Sequence, residues 1–212
     1  MANPFGIIER YDRQFEYAGV LFQLVIAYKY FQLWSAPQPH QAEIILSMAL
    51  LMIFEFVMVH SGVFMAVMPK KWCLFVFIPF YGVFALVFTL AIPNNYIILV
   101  AYLLVVINRM RFAFSDVPRA LRIRTIIMSV AAALVYFVLI FVVLMASNLI
   151  PELGLTPSFL TSSGYNDMEK GSGEFVDYPH LTLCFGALYY TLSALVEFKL
   201  MRTDFSKKFN TF

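Results

Sequence analysis

Charge is what this sequence has least of. Asp, Glu, Lys and Arg make up only 13% of its 212 residues, about half the share of an ordinary soluble domain. A chain of this length folded in water would need far more charge on its surface. A water-soluble globular domain is therefore excluded. Cysteine is nearly absent, and its placement rules out a disulfide framework. Cys73 and Cys184 begin two apolar runs that enter a bilayer from opposite sides. Across a hydrocarbon core of ~30 Å they stand roughly 20 Å or more apart in depth, beyond the ~7 Å that a disulfide tolerates. Both are read as free thiols. No nucleotide-binding, cofactor-binding or hydrolase motif is present, so the sequence identifies no catalytic set.

What the chain has in abundance is apolar and aromatic surface. Hydrophobic residues reach 61%, with 23 Phe and 12 Tyr, and the mean hydropathy is +0.78. Six apolar runs predict membrane spans over residues 17–34, 41–68, 72–92, 96–108, 125–150 and 180–200. Pro69 ends the second, because proline lacks the N–H a helix interior needs. Pro79 and Gly82 predict a kink in the third, and the fourth is short for a span. The expected fold is an all-α integral membrane protein, a single bundle of six transmembrane helices. A short segment, 4–15, alternates Phe5, Ile8, Tyr11 and Phe15 with charges at near-helical spacing, as an amphipathic surface helix does. No small-x-small cleavage site follows the first run, which is expected to stay in the mature chain. Small residues four apart (Gly62 with Ala66, Ser129 with Ala133, Ala187 with Thr191) permit close helix approach within the bundle or in a homo-oligomer.

The few cations are distributed unevenly. With the N-terminus inside, the inner segments hold Arg10, Arg13, Lys70, Lys71, Arg109, Arg111, Arg119, Arg122, Arg124, Lys199, Arg202, Lys207 and Lys208. The outer segments hold Lys170 alone, and Lys29 lies within the first run. Positive charge concentrates on the cytoplasmic side of membrane proteins, so both N- and C-termini are expected to be cytoplasmic. The basic connector 109–124 suits anionic lipid headgroups and is not read as nucleic-acid binding. A bacterial inner (cytoplasmic) membrane is the default location, since no organelle-targeting segment is present. Expected partners are membrane lipids, with further membrane subunits or a second copy of the chain as the alternatives.

Within the apolar runs, ionisable residues are the exception. Glu55 falls near the bilayer midplane, where a bare carboxylate costs several kcal/mol and must be paired, protonated or open to a water-filled cavity. Lys29, on the first run, is within reach of it, and Gln23 sits near its level. His60 lies five residues further along, about 140° around the helix from Glu55, so the two cannot share one stripe. Lys29, Glu55 and His60, with Gln23, form the first candidate site. Tyr102, Tyr136, Tyr189 and Tyr190 supply hydroxyls that would complete a polar network around Glu55, or serve as packing residues bonded to backbone carbonyls.

A second candidate site lies at the outer boundary. His40 and Glu43 open the second run, and Asp177 and His180 open the sixth. Each pair is spaced i, i+3, on one helix face, and the four donors would suit a transition metal if those helices are neighbours. No other cofactor is expected. The outer loop 151–179 sets Glu152, Asp167, Glu169, Glu174 and Asp177 against Lys170. Its glycines and its Thr161-Ser162-Ser163 run predict an irregular, solvated segment that would attract cations or a partner.

Three functions remain open on these residues. One is a small channel or proton-coupled transporter using the Glu55, Lys29 and His60 group. Another is a non-catalytic structural or assembly subunit of a larger membrane complex. The third is a metal-binding membrane protein using the outer His/Asp/Glu set.

Overall fold

A computed structural model describes residues 12–91 and 119–202. The short fourth span, the connector before Arg119 and the amphipathic segment up to residue 11 lie outside the described residues, as does Tyr102.

Every regular element among the described residues is helical. Five helices are long: α1 (Asp12–Ser35), α2 (Ala42–Val67), α3 (Lys70–Ala91), α4 (Arg119–Met145) and, after the two short helices α5 (Pro157–Ser162) and α6 (Glu174–Asp177), α7 (Pro179–Met201). Among the described residues, three stretches are long and apolar enough to cross a membrane: Pro39–His60, Ile126–Met145 and Pro179–Met201. Their outward faces suit lipid rather than water. Phe137, Phe141, Val142 and Met145 on α4, and Leu188, Leu192 and Leu195 on α7, are all exposed. So are Leu21, Phe22, Val25 and Tyr28 on α1.

The chain divides into two compact units. One comprises Met1–Val57 and Ala131–Asp204, the other Met58–Val130 and Phe205–Phe212. In the second, α3 carries Pro79 inside its helix, where proline removes one backbone hydrogen bond. An aromatic ladder runs beside it: Phe77 meets Phe80 at 6.2 Å and Tyr81 at 5.8 Å between ring centroids.

The first unit is built on α1 packed antiparallel against α7. Early α1 residues meet late α7 residues, as Gln23 bonds Glu197. Late α1 residues meet earlier ones, as the Tyr30 ring stacks on Tyr190. Close approach is made possible by Gly186, whose missing Cβ would lie 2.5 Å from Tyr30 Cδ1 and Cε1. Gly19 does the same at the other end, where a Cβ would come within 3.2 Å of Glu197 Oε1. The α1 residues Gly19, Gln23 and Tyr30, and the α7 residues Gly186, Tyr190, Ser193 and Glu197, recur at spacings of three, four or seven. Each set therefore lies on one helix face.

The loop between α4 and α7 departs from the irregular segment predicted for it. It is an ordered cap with its own small core: Leu155, Leu160, Tyr165 and Val176 are buried. Thr156 caps α5 by accepting the Phe159 N–H at 3.3 Å, with Pro157 in the first turn. Proline there loses no hydrogen bond, and the threonine satisfies a donor that the helix leaves free. Tyr165 donates its hydroxyl to the Val176 carbonyl at 2.8 Å, closing the loop on itself. Two bonds join the cap to α1: Trp34 Nε1 donates to the Pro151 carbonyl at 2.9 Å, and the Gly154 N–H donates to the Trp34 carbonyl at 3.1 Å. Gly154 sits so tightly that a Cβ would be 2.2 Å from Pro37 Cδ. Leu153 turns the chain there with a left-handed φ of 50°, a conformation that costs non-glycine residues energy and persists only where surrounding contacts hold it.

Candidate functional site

Four tyrosines from three helices converge on one stripe of α2. Met48, Met52 and Glu55 stand at i, i+4 and i+7, so they face the same way. Tyr30 of α1 donates its hydroxyl to the Met48 carbonyl at 2.8 Å, and Tyr136 of α4 donates to the Met52 carbonyl at 2.8 Å. Tyr189 of α7 donates to Glu55 Oε1 at 2.9 Å, and Tyr190 reaches Oε2 at 3.5 Å. The rings also hold one another. Tyr30 and Tyr190 stack at 5.7 Å with 22° between planes, while Tyr189 meets Tyr136 edge-on at 5.3 Å and Tyr190 at 5.0 Å.

Glu55 is thus enclosed by protein, with 8% of its surface exposed. An ionised carboxylate only accepts hydrogen bonds, and phenols are suitable donors. A protonated carboxyl can instead donate to a phenol oxygen. The same geometry can serve either charge state by reversing one bond.

The other candidate residues are placed as follows. Lys29 Nζ donates to Gln32 Oε1 at 3.2 Å, one turn along its own helix, and the expected Lys29–Glu55 ion pair is not formed. The long lysine stem lies along α1, while the phenols of α7 fill the space at the carboxylate. Gln23 is paired elsewhere, its Nε2 donating to Glu197 Oε2 at 2.6 Å. His60 is half-buried and belongs to the second unit.

Glu197, Tyr30 and Ser193 were missed in the sequence. Glu197 stands two residues before Lys199, a pattern that reads as an ordinary polar helix end. The i+4 and i+3 spacings from Ser193 to Glu197 and from Tyr190 to Ser193 were the available signal. Two polar atoms at this end, Gln23 Oε1 and Ser193 Oγ, are buried without a hydrogen-bond partner.

The four residues expected to hold a metal, His40, Glu43, Asp177 and His180, are placed as follows. Among the described residues, no three His, Cys, Asp or Glu side chains are grouped so as to hold a metal ion. His40 and Glu43 are exposed, whereas His180 is buried. The His180 ring packs edge-on against Tyr178 at 6.3 Å. Asp177 is engaged within the cap, its Oδ2 accepting the Gly173 N–H at 2.9 Å.

The cap also engages its only lysine. Lys170 Nζ lies 3.7 Å from the Tyr165 ring centroid and donates to the Tyr165 carbonyl at 3.0 Å. Burial lowers the lysine below its usual range, partly offset by the negative charge of Asp177. Burial, with a smaller contribution from the same aspartate, raises the Tyr165 phenol well above its ordinary value. Cys184 is a free, buried thiol.

No protein-family model matches this chain, and no match to it was found among curated proteins or solved structures.

Proposed function

We propose that this chain is a proton-coupled transporter or small proton-conducting channel in which Glu55 carries the proton. The reading rests on the enclosed carboxylate, whose two phenol donors, Tyr189 and Tyr190, come from a different helix. A titratable group inside a membrane bundle is costly and marks an ion or proton pathway by default. Hydroxyls on a neighbouring helix let protonation of Glu55 change how α2 and α7 are held together. A movement of one helix against the other is the step that would couple proton binding to a second event.

The bundle this reading requires has six spans with both ends on the cytoplasmic side. The uneven distribution of Lys and Arg supports it. So does the antiparallel packing of α1 on α7, which brings Gln23 beside Glu197 and so sets the start of one helix level with the end of the other.

The same enclosure favours one other reading, a non-catalytic subunit of a membrane complex, in which the tyrosines and Glu55 lock four helices together. Purified protein in lipid vesicles under an imposed pH gradient separates the two. A proton carrier gives a flux above empty vesicles that Glu55→Gln abolishes while the fold is kept. A structural subunit gives no flux in either form, and that result would overturn the proposal.

A further inference from the structure

A second carboxylate lies on the face of α7 that carries the phenols. Tyr190, Ser193 and Glu197 are spaced i, i+3 and i+7, within a narrow arc of the helix surface. At ~1.5 Å of rise per residue, Tyr190 and Glu197 are about 10 Å apart along the axis, with Ser193 between them. The facing side of α1 contributes Gln23, hydrogen-bonded to Glu197, and Gly19, whose lack of a side chain leaves room beside the Glu197 carboxylate. In this stretch lie Gln23 Oε1 and Ser193 Oγ, two buried polar atoms with no protein partner. A buried polar atom left unpaired costs roughly 1–3 kcal/mol, and enclosed water is the usual partner where the surroundings are polar. Along the helix axis Tyr190 and Ser193 are about 4.5 Å apart, and Ser193 and Glu197 about 6 Å, at ~1.5 Å of rise per residue.

We infer that the interface between α1 and α7 is the route by which protons reach Glu55: a water-bridged track from Glu197 through Gln23 and Ser193 to the hydroxyls of Tyr190 and Tyr189. In one passage the Glu197 carboxyl releases a proton to the water beside Gln23 Oε1. That water passes one of its own protons to Ser193 Oγ, and the serine releases its hydroxyl proton onward. Tyr190 accepts a proton on its oxygen as it gives its own to the Glu55 carboxylate. Each relay group ends as it began, and the net change is one proton moved from Glu197 to Glu55. Gln23 does not titrate; it orients Glu197 and the water. The track opens at the end of the first unit where α1 begins and α7 ends, which the distribution of Lys and Arg assigns to the cytoplasmic side.

The inference rests on Glu55 being the proton-carrying group, and the test separates the two claims. Wild-type protein in lipid vesicles is transferred rapidly into heavy water, and the infrared band of the Glu55 carboxyl, identified by its loss in Glu55→Gln, is followed as it shifts. In Ser193→Val, which keeps the size of the residue but removes the relay, the exchange slows tenfold or more. Glu197→Gln slows it similarly, and Ser193→Thr, which restores a hydroxyl, exchanges at the wild-type rate. If Ser193→Val and Glu197→Gln fold and exchange as fast as wild type, the track is overturned while Glu55 keeps its role. If the Glu55 band does not exchange even in wild type, both claims fall. Should Glu197→Gln not fold, Ser193→Val and its threonine rescue decide the matter.

Discussion

Replacing Gly186 by alanine tests the packing that builds the site. The added methyl carbon would lie 2.5 Å from two carbons of the Tyr30 ring and 2.8 Å from a third. Ordinary carbon contacts are ~3.5–4.0 Å, so about 1 Å must be found. The ring cannot easily yield it. Tyr30 is fully buried, its hydroxyl is held by the Met48 carbonyl and its face is stacked on Tyr190. Helices α1 and α7 must therefore separate, at an overpacking cost of about 1–3 kcal/mol. Losing the Tyr30 hydrogen bond adds roughly 1 kcal/mol. For a chain of this size each kcal/mol lowers the melting temperature by about 2–4 °C, so Gly186→Ala should melt roughly 5–15 °C below wild type by circular dichroism in detergent. In a Tyr30→Leu background, which removes the obstructing ring edge, most of that cost should vanish as a coupling between the two positions. If Gly186→Ala melted with the wild type, or cost as much without the Tyr30 ring, the helix pairing described for the first unit would be wrong.

Gly154→Ala should loosen the cap, because its Cβ would meet Pro37 Cδ at 2.2 Å and the Ser35 carbonyl oxygen at 2.9 Å. Backbone cannot move aside as a side chain would, and faster proteolysis within residues 151–178 is the expected readout. Tyr165→Phe removes a buried hydroxyl bonded to the Val176 carbonyl and should weaken the cap by roughly 1–2 kcal/mol, read as faster amide exchange there. The phenol also sets a pH dependence. Its folded value is raised, so the folded cap holds the phenol's proton more tightly than the unfolded chain. That stability is fully present below about pH 10, the value for a free tyrosine, and falls as the pH rises above it. Tyr165→Phe should lose the alkaline decline; a variant that kept it would assign the effect to another group.

The helical character of the chain was legible because lipid demands long uninterrupted apolar runs, and the helices end within a few residues of where those runs end. Pro69, for instance, separates α2 from α3. The cap was not legible as an ordered element. Its charges and glycines suggest a solvated loop, and its core is a handful of apolar residues scattered over more than twenty positions. The threonine and proline that start α5 were the one local signal. Around Glu55, the hydroxyls of Tyr136, Tyr189 and Tyr190 were visible as possible members of a polar network. Which of them touch the carboxylate depends on helix pairing, a property that no single run encodes. Lys29 shows the limit of counting reach alone: an ammonium within range of a carboxylate finds a nearer partner, Gln32, on its own helix. Asp177, one of the four expected metal donors, likewise takes a local partner, the Gly173 N–H of its own turn.

The central claim is that Glu55 exchanges protons with the aqueous phase from inside the bundle. The measurement that reaches it most directly is infrared difference spectroscopy of the protein in lipid across a pH series, comparing wild type with Glu55→Gln. A carboxyl band that responds to bulk pH and is missing from the mutant is the predicted result. A Glu55 band that stays unchanged across the range over which the fold survives would contradict the account and leave Glu55 as a sealed structural group.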